Sequence, residues 1–150
     1  MTVFRTAREV PARPEVVFAA IQDPLRLARW WGPDGFTNSF HLFEFNPGGR
    51  WDFTMHGPDG THYPNQSEFV EIISNTLIRI KHTSQPRFEL TISLAPCDKG
   101  TLVSWVQAFE DPKVAANIRH IVEPANEQNL SRLLVEVLTN SAYSGLPPSD

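Results

Sequence analysis

The groups able to carry acid–base or metal chemistry in this chain are few and widely spaced. Its histidines are His41, His56, His62, His82 and His120, and its single cysteine is Cys97. None shows metal-ligand spacing; His56 and His62 flank a hairpin turn and can approach each other, but no cysteine or third ligand accompanies them, so no metal is expected. Cys97 lies in the turn-like stretch Ala95-Pro96-Cys97-Asp98-Lys99-Gly100 without a histidine-paired motif, which reads as an incidental loop thiol. There is no Gly-rich phosphate loop, no Gly-x-Ser-x-Gly elbow and no paired-carboxylate signature, and no cofactor is expected. His82 shares a strand face with Ile78 and Ile80. Pointing inward it would exchange a proton near neutral pH; the plain alternative is a satisfied histidine at a strand end. Glu68 shares a face with Val70 and Ile72 in a regular strand, and a bulge would reverse it. His82 with Glu68 as general base is the most that an enzymatic reading can assemble.

A second constellation is apolar with sparse polar groups. Trp51, Phe53 and Met55 alternate with polar residues along one strand, and Val103, Trp105, Gln107 and Phe109 along another. Leu130, Leu134 and Val137 recur at helical spacing and would face them. These side chains can fill a solid core. Indole N–H and amide groups need partners when buried, however, so tryptophans, a methionine and a glutamine on one face suit a lined pocket better. Trp30 and Trp31 adjoin the turn Gly32-Pro33-Asp34-Gly35; adjacent helical residues point about 100° apart, so one is expected in the core and the other, Trp31, at the cavity mouth.

The elements that must position these groups follow from periodicity and punctuation. Thr2 to Val10 reads as a strand ended by Pro11, and Pro14 opens a helix through Ile21. Asp23-Pro24 stops it, and Leu25 to Trp31 reads as a second short helix. From Phe36 the period becomes two, with Phe36, Phe40 and Leu42 on one face and Phe43 and Phe45 on the other. Asn46-Pro47-Gly48-Gly49 and Gly57-Pro58-Asp59-Gly60 are turns. Further strands are expected at Gln66–Ile73, Thr76–His82, Arg87–Leu94 and Thr101–Phe109, an antiparallel meander. Asp111-Pro112 starts a helix through Val114–Val122, and Pro124 restarts a longer one, Ala125 to Tyr143. That last helix carries Leu130, Leu133, Leu134, Val137 and Leu138 as one stripe. The result is a single α+β domain over residues 1–150, with 145–150 expected to fray.

Composition narrows the partners. The chain has 150 residues, 41% hydrophobic and 20% charged, with a net charge of −4. That balance is globular, and the scattered basic residues offer nothing to a nucleic acid or an anionic membrane. No apolar run approaches the roughly 20 residues of a membrane span. One thiol and no charged-then-apolar leader place the expectation in the cytoplasm.

The stretch Trp30-Trp31-Gly32-Pro33-Asp34-Gly35-Phe36, followed by Pro47 to Gly60, resembles the activator-of-heat-shock-chaperone-ATPase homologue family, of the START-like, helix-grip superfamily (SRPBCC). Tyr63-Pro64-Asn65, Phe69-Val70-Glu71-Ile72, Thr101 to Phe109 and Asn126-Glu127-Gln128-Asn129-Leu130 extend the resemblance over nearly the whole chain. It implies a helix-grip fold: a curved antiparallel sheet around the C-terminal helix, with a cavity between them. The expected function is binding of a small hydrophobic or aromatic molecule by Trp31, Trp51, Phe53, Met55, His82, Val103, Trp105, Gln107, Leu130 and Leu134. The alternatives are a cyclase, dehydratase or hydrolase using the same cavity, and a co-chaperone-like interaction module. A chaperone partner is the least expected of these, since only one such domain is present; a homodimer is compatible with the sequence.

Overall fold

The structure is a computed structural model that describes the backbone of residues 1–144 and the side chains of residues 1–139. The tail expected to fray, 145–150, lies outside the described residues. The chain opens with strand β1 (Thr2–Val10), then helices α1 (Pro14–Gln22) and α2 (Pro24–Trp30). Prolines stand at the start of both helices, where a missing N–H costs nothing, and Asp23 caps α2 by accepting from the Leu25 backbone N–H at 2.9 Å. Six strands follow: β2 (Thr37–Phe43), β3 (Arg50–His56), β4 (His62–Ile73), β5 (Leu77–His82), β6 (Phe88–Cys97) and β7 (Gly100–Phe109). All pair antiparallel in the order β1-β7-β6-β5-β4-β3-β2, so the two helices carry the chain from one sheet edge to the other.

Two bulges revise the expected strand faces. A register shift between Phe40 and Leu42 makes His41 the extra residue, so Phe43 joins Phe40 on the inner face instead of opposing it. A second shift between Phe69 and Glu71 turns Ile72 inward beside Phe69 and Ser67, and leaves Glu68 exposed on the outer face. The proposed His82–Glu68 pair is therefore not formed.

The C-terminal segment also differs from expectation. Helix α3 runs unbroken from Pro112 to Ser144, with Pro124 inside it, rather than restarting there. Pro124 lacks the N–H that would bond the His120 carbonyl, and both residues are exposed, so water can serve that oxygen. Burial along α3 changes with position. Near its start Ala115, with Ile118 and Val122, packs on Phe4 and Phe109 of the outer strands. Further on, Leu130, Leu133 and Val137 are fully buried in the main core, Leu134 is half-buried and Leu138 is exposed, so the stripe is narrower than expected. Between these two anchor points lie Ala125, Asn126 and Asn129, which are short or polar.

Candidate functional site

That gap in the packing is a cavity. Between the inner face of the sheet and residues Ala125, Asn126 and Asn129 of α3 lies a space of about 200 Å³, walled by Trp31, Phe53, Met55, Phe88, Trp105 and the loop residues Gly32 and Pro33. Its polar lining is Asn65, Ser67, His82, Gln107, Asn126 and Asn129. It adjoins a wider groove of about 560 Å³, formed by Phe36, Tyr63, Pro64, Gln85, Ile121 and Val122. Pro33, Met55, Asn65, Pro86, Gln107, Ala125 and Asn126 border both spaces and form the neck between them.

Of the residues expected from sequence, Trp31, Phe53, Met55, His82, Trp105 and Gln107 converge on this cavity. Trp51, Val103, Leu130 and Leu134 do not border it; they pack in the solid part of the core. Trp51 is enclosed by rings: Phe53 at 4.3 Å and Phe69 at 5.7 Å stack on it, and Trp31 meets it edge-on at 4.9 Å. Leu130 and Val103 are fully buried toward the end where α3 closes on the sheet. Trp30 and Trp31 divide as expected: Trp30 is core, its indole N–H donating to Ala20 O at 2.9 Å, while Trp31 borders the cavity.

Sequence reasoning missed the groups that shape the neck and its lid. Asn129 accepts from the Gly32 backbone N–H (3.2 Å) and donates to Trp30 O (2.9 Å). Arg132 donates to five carbonyls, those of Arg29, Trp31, Gly32, Pro33 and Phe36, at 2.7–3.1 Å. Together they tie the loop after α2 to α3 and hold Trp31 and Pro33 against the cavity. Gly32 has φ +97, a left-handed backbone conformation that favours glycine, at the point where the loop meets the Met55 side chain. An asparagine and an arginine three apart, next to Leu130 and Leu133 of the apolar stripe, were the available signal.

The polar groups at the cavity are mostly committed. His82 is buried and stacked on Phe88 at 4.4 Å. Its Nδ1 lies 2.7 Å from Pro86 O and its Nε2 2.6 Å from Asn65 Oδ1, while the Asn65 amide nitrogen donates to Tyr63 O at 2.8 Å. Burial pushes the imidazole below its ordinary pKa, and the bond to the Pro86 carbonyl pulls part of the way back. The ring is anchored between two carbonyl oxygens, of which a neutral imidazole can donate to one, and it takes the place of the strand-end histidine of the plain alternative although it faces the cavity. At the neck Asn126 donates to Gln107 Oε1 at 3.0 Å, joining helix to sheet. The Trp105 indole N–H is buried without a partner among the described residues, as is that of Trp51.

Behind α2 an ion triad of buried Glu136, largely buried Arg26 and half-exposed Arg29 fixes the helix pair. Glu136 takes Arg26 and Arg29, each at 3.0 Å. Burial pushes the Glu136 carboxyl up, but the hydrogen bonds and charges of the two arginines outweigh it and hold the carboxyl below its ordinary value. His56 and His62 do approach each other, Nδ1 to Nδ1 at 2.7 Å on the exposed face, and no cluster of three or more potential metal ligands exists among the described residues. No helix among the described residues is long and apolar enough to cross a membrane.

Comparison with known proteins agrees with the geometry. Residues 11–139 match the model of the family described as Activator of Hsp90 ATPase homolog 1-like protein. No functionally curated protein is similar enough to match. Solved structures superpose closely: a protein of Chromobacterium violaceum (25% identity, TM-score 0.79, covering 90% of this chain and 96% of that one) and one of Nitrosomonas europaea (19%, 0.86, 94% and 97%). A Silicibacter pomeroyi protein named as AHSA1 superposes at a TM-score of 0.77, with 20% identity over 93% of this chain and 99% of its own.

Proposed function

Since this chain belongs to the Activator of Hsp90 ATPase homolog 1-like family, we propose that it uses the helix-grip cavity to bind a small hydrophobic or aromatic molecule. The observation that carries this is the aromatic-walled space of about 200 Å³ behind a neck that opens on a wider apolar groove. An apolar cavity of about 150 Å³ is enough to hold benzene. Close-packed cores leave few voids larger than a water, so a space of this size at the neck of a groove has the form of a ligand site. Trp31, Phe53, Met55 and Trp105 supply apolar walls, and Gln107 supplies a polar anchor. A role as a co-chaperone-like module rests on the family description alone, whereas the cavity belongs to this chain's own residues. The enzymatic alternative loses its base pair, because Glu68 lies on the outer face and His82 is hydrogen-bonded on both ring nitrogens.

The test is a titration of the whole chain with toluene and with indole, following the indole N–H resonances of Trp31 and Trp105 by two-dimensional NMR. Saturable shifts confined to these and neighbouring cavity residues are expected. Ala125→Leu, which puts a larger side chain at the cavity wall, should remove them. Unchanged Trp31 and Trp105 resonances up to the solubility limit of both compounds would defeat the proposal.

A further inference from the structure

The chemistry left open at the neck specifies more than an apolar ligand. Neither the cavity nor the groove is lined by a single Asp, Glu, Lys or Arg, although charged residues make up 20% of the chain. The one titratable side chain lining the cavity, His82, has its charged form disfavoured by burial. An ion entering this space would lose its water and meet no counter-charge, which is strongly unfavourable.

The uncharged polar groups divide into spent and open. Asn65 uses its oxygen on His82 and its nitrogen on Tyr63 O, and Asn129 uses both ends on the lid loop. Gln107 and Asn126 share one hydrogen bond, from the Asn126 nitrogen to Gln107 Oε1. That leaves the Gln107 Nε2 donor and the Asn126 Oδ1 acceptor, on two bonded side chains that both line the neck, without protein partners among the described residues. Gln107 is only 8% exposed, so its open end is satisfied by whatever occupies the neck. Trp105, on the adjoining wall, adds a buried N–H that also has no partner among the described residues.

A donor and an acceptor on two paired amides are complementary to a ligand edge that carries both an acceptor and a donor. We propose that the ligand class is a compact, neutral aromatic molecule carrying a carboxamide-type edge, a carbonyl next to an N–H, with its ring in the cavity and that edge at the neck. The carbonyl accepts from Gln107 Nε2 and the N–H donates to Asn126 Oδ1. This rests on the cavity-binding proposal above and narrows it.

The experiment compares benzamide, benzoate and toluene, three probes with the same ring and different edges, by the same NMR titration of the full chain. Benzamide is expected to bind at least tenfold more tightly than either of the others, about the effect of one well-placed hydrogen bond. Asn126→Ala and Gln107→Leu should each reduce benzamide affinity about tenfold relative to the toluene affinity of the same variant, and the dispersion of the amide resonances reports that each variant is folded. Benzoate binding as well as benzamide, or benzamide no better than toluene, overturns the ligand class while the cavity proposal stands. Failure of all three probes to move the Trp105 resonance overturns the cavity proposal and the class with it.

Discussion

The inner face of the sheet has two ends built from the same strands, and they are packed in opposite ways. At one end Trp51 lies among Phe40, Phe43, Phe53 and Phe69 with ring centroids 4.3–5.9 Å apart, and Leu130, Leu133 and Val137 of α3 press on the core without a gap. At the other, Trp31, Phe53 and Trp105 face Ala125, Asn126 and Asn129, and a space of about 200 Å³ remains. The strands supply large side chains at both ends. The difference comes from α3, whose inward residues are leucine and valine where the core is solid and alanine and asparagine where it is hollow. A cavity in this fold is thus set by the residues the helix omits as much as by those the sheet provides.

The comparison is broken most severely by removing a tryptophan from each end. Trp51→Ala deletes a ring touched on all sides and should cost about 4 kcal/mol, whereas Trp105→Ala, with empty space along one side, should cost about 1 kcal/mol less. Chemical denaturation of both variants measures the difference, and equal losses would mean that the hollow end is as tightly packed as the other.

Next in size is the clamp joining α2 to the solid end of α3. Glu136→Gln leaves Arg26, a largely buried arginine, without its partner and should cost about 3 kcal/mol. Because the two arginines hold the Glu136 carboxyl below its ordinary 4.5, its contribution is present above that value and lost as pH falls through the folded-state value. Wild-type stability should therefore drop below about pH 4.5 more steeply than that of Glu136→Gln. Parallel curves would show that the triad does not contribute.

A smaller and sharper contrast comes from adding volume. Ala20→Leu, at a fully buried core position, should cost about 1–3 kcal/mol through overpacking. Ala125→Leu has the cavity to grow into and should cost less than about 1 kcal/mol. A similar penalty at both positions, read from denaturation midpoints at unchanged slope, would argue against a usable space beside α3.

The least effect is expected from His82. Its pKa is lowered by burial, so near its ordinary 6.5 the unfolded chain binds more protons than the folded one, and stability should rise with pH through this range. The decline on acidifying from about pH 7 should be shallower in His82→Gln. An identical slope would mean that the ring is not desolvated at the hollow end.

Much of the fold was legible in the chain because local pattern and punctuation agreed. The strand Thr2–Val10 and the helix opened by Pro14 were both readable in this way. So were the period-two faces of Trp51-Phe53-Met55 and Val103-Trp105-Gln107, because alternation follows from strand geometry alone. Those faces brought four of the proposed site residues, Phe53, Met55, Trp105 and Gln107, to one space. The sequence could not reveal the bulges at His41 and Val70, each of which moves a residue to the opposite face through a register decided by neighbouring strands. Nor could it show that Pro124 would be carried inside a continuous helix anchored on both sides of it.

The division is clearest in α3. Its sequence determines that Leu130, Leu133 and Val137 share a buried stripe, since helical spacing fixes that relation within the element. Whether the stripe meets a wall of rings or an open space depends on where the helix crosses the sheet. That crossing is set by contacts distant in sequence: Arg132 and Asn129 on the lid loop, Glu136 on the arginines of α2, and Asn126 on Gln107. Periodicity shows which side of an element is apolar. The empty volume is a difference between surfaces brought together from opposite ends of the chain, and only the tertiary structure fixes it.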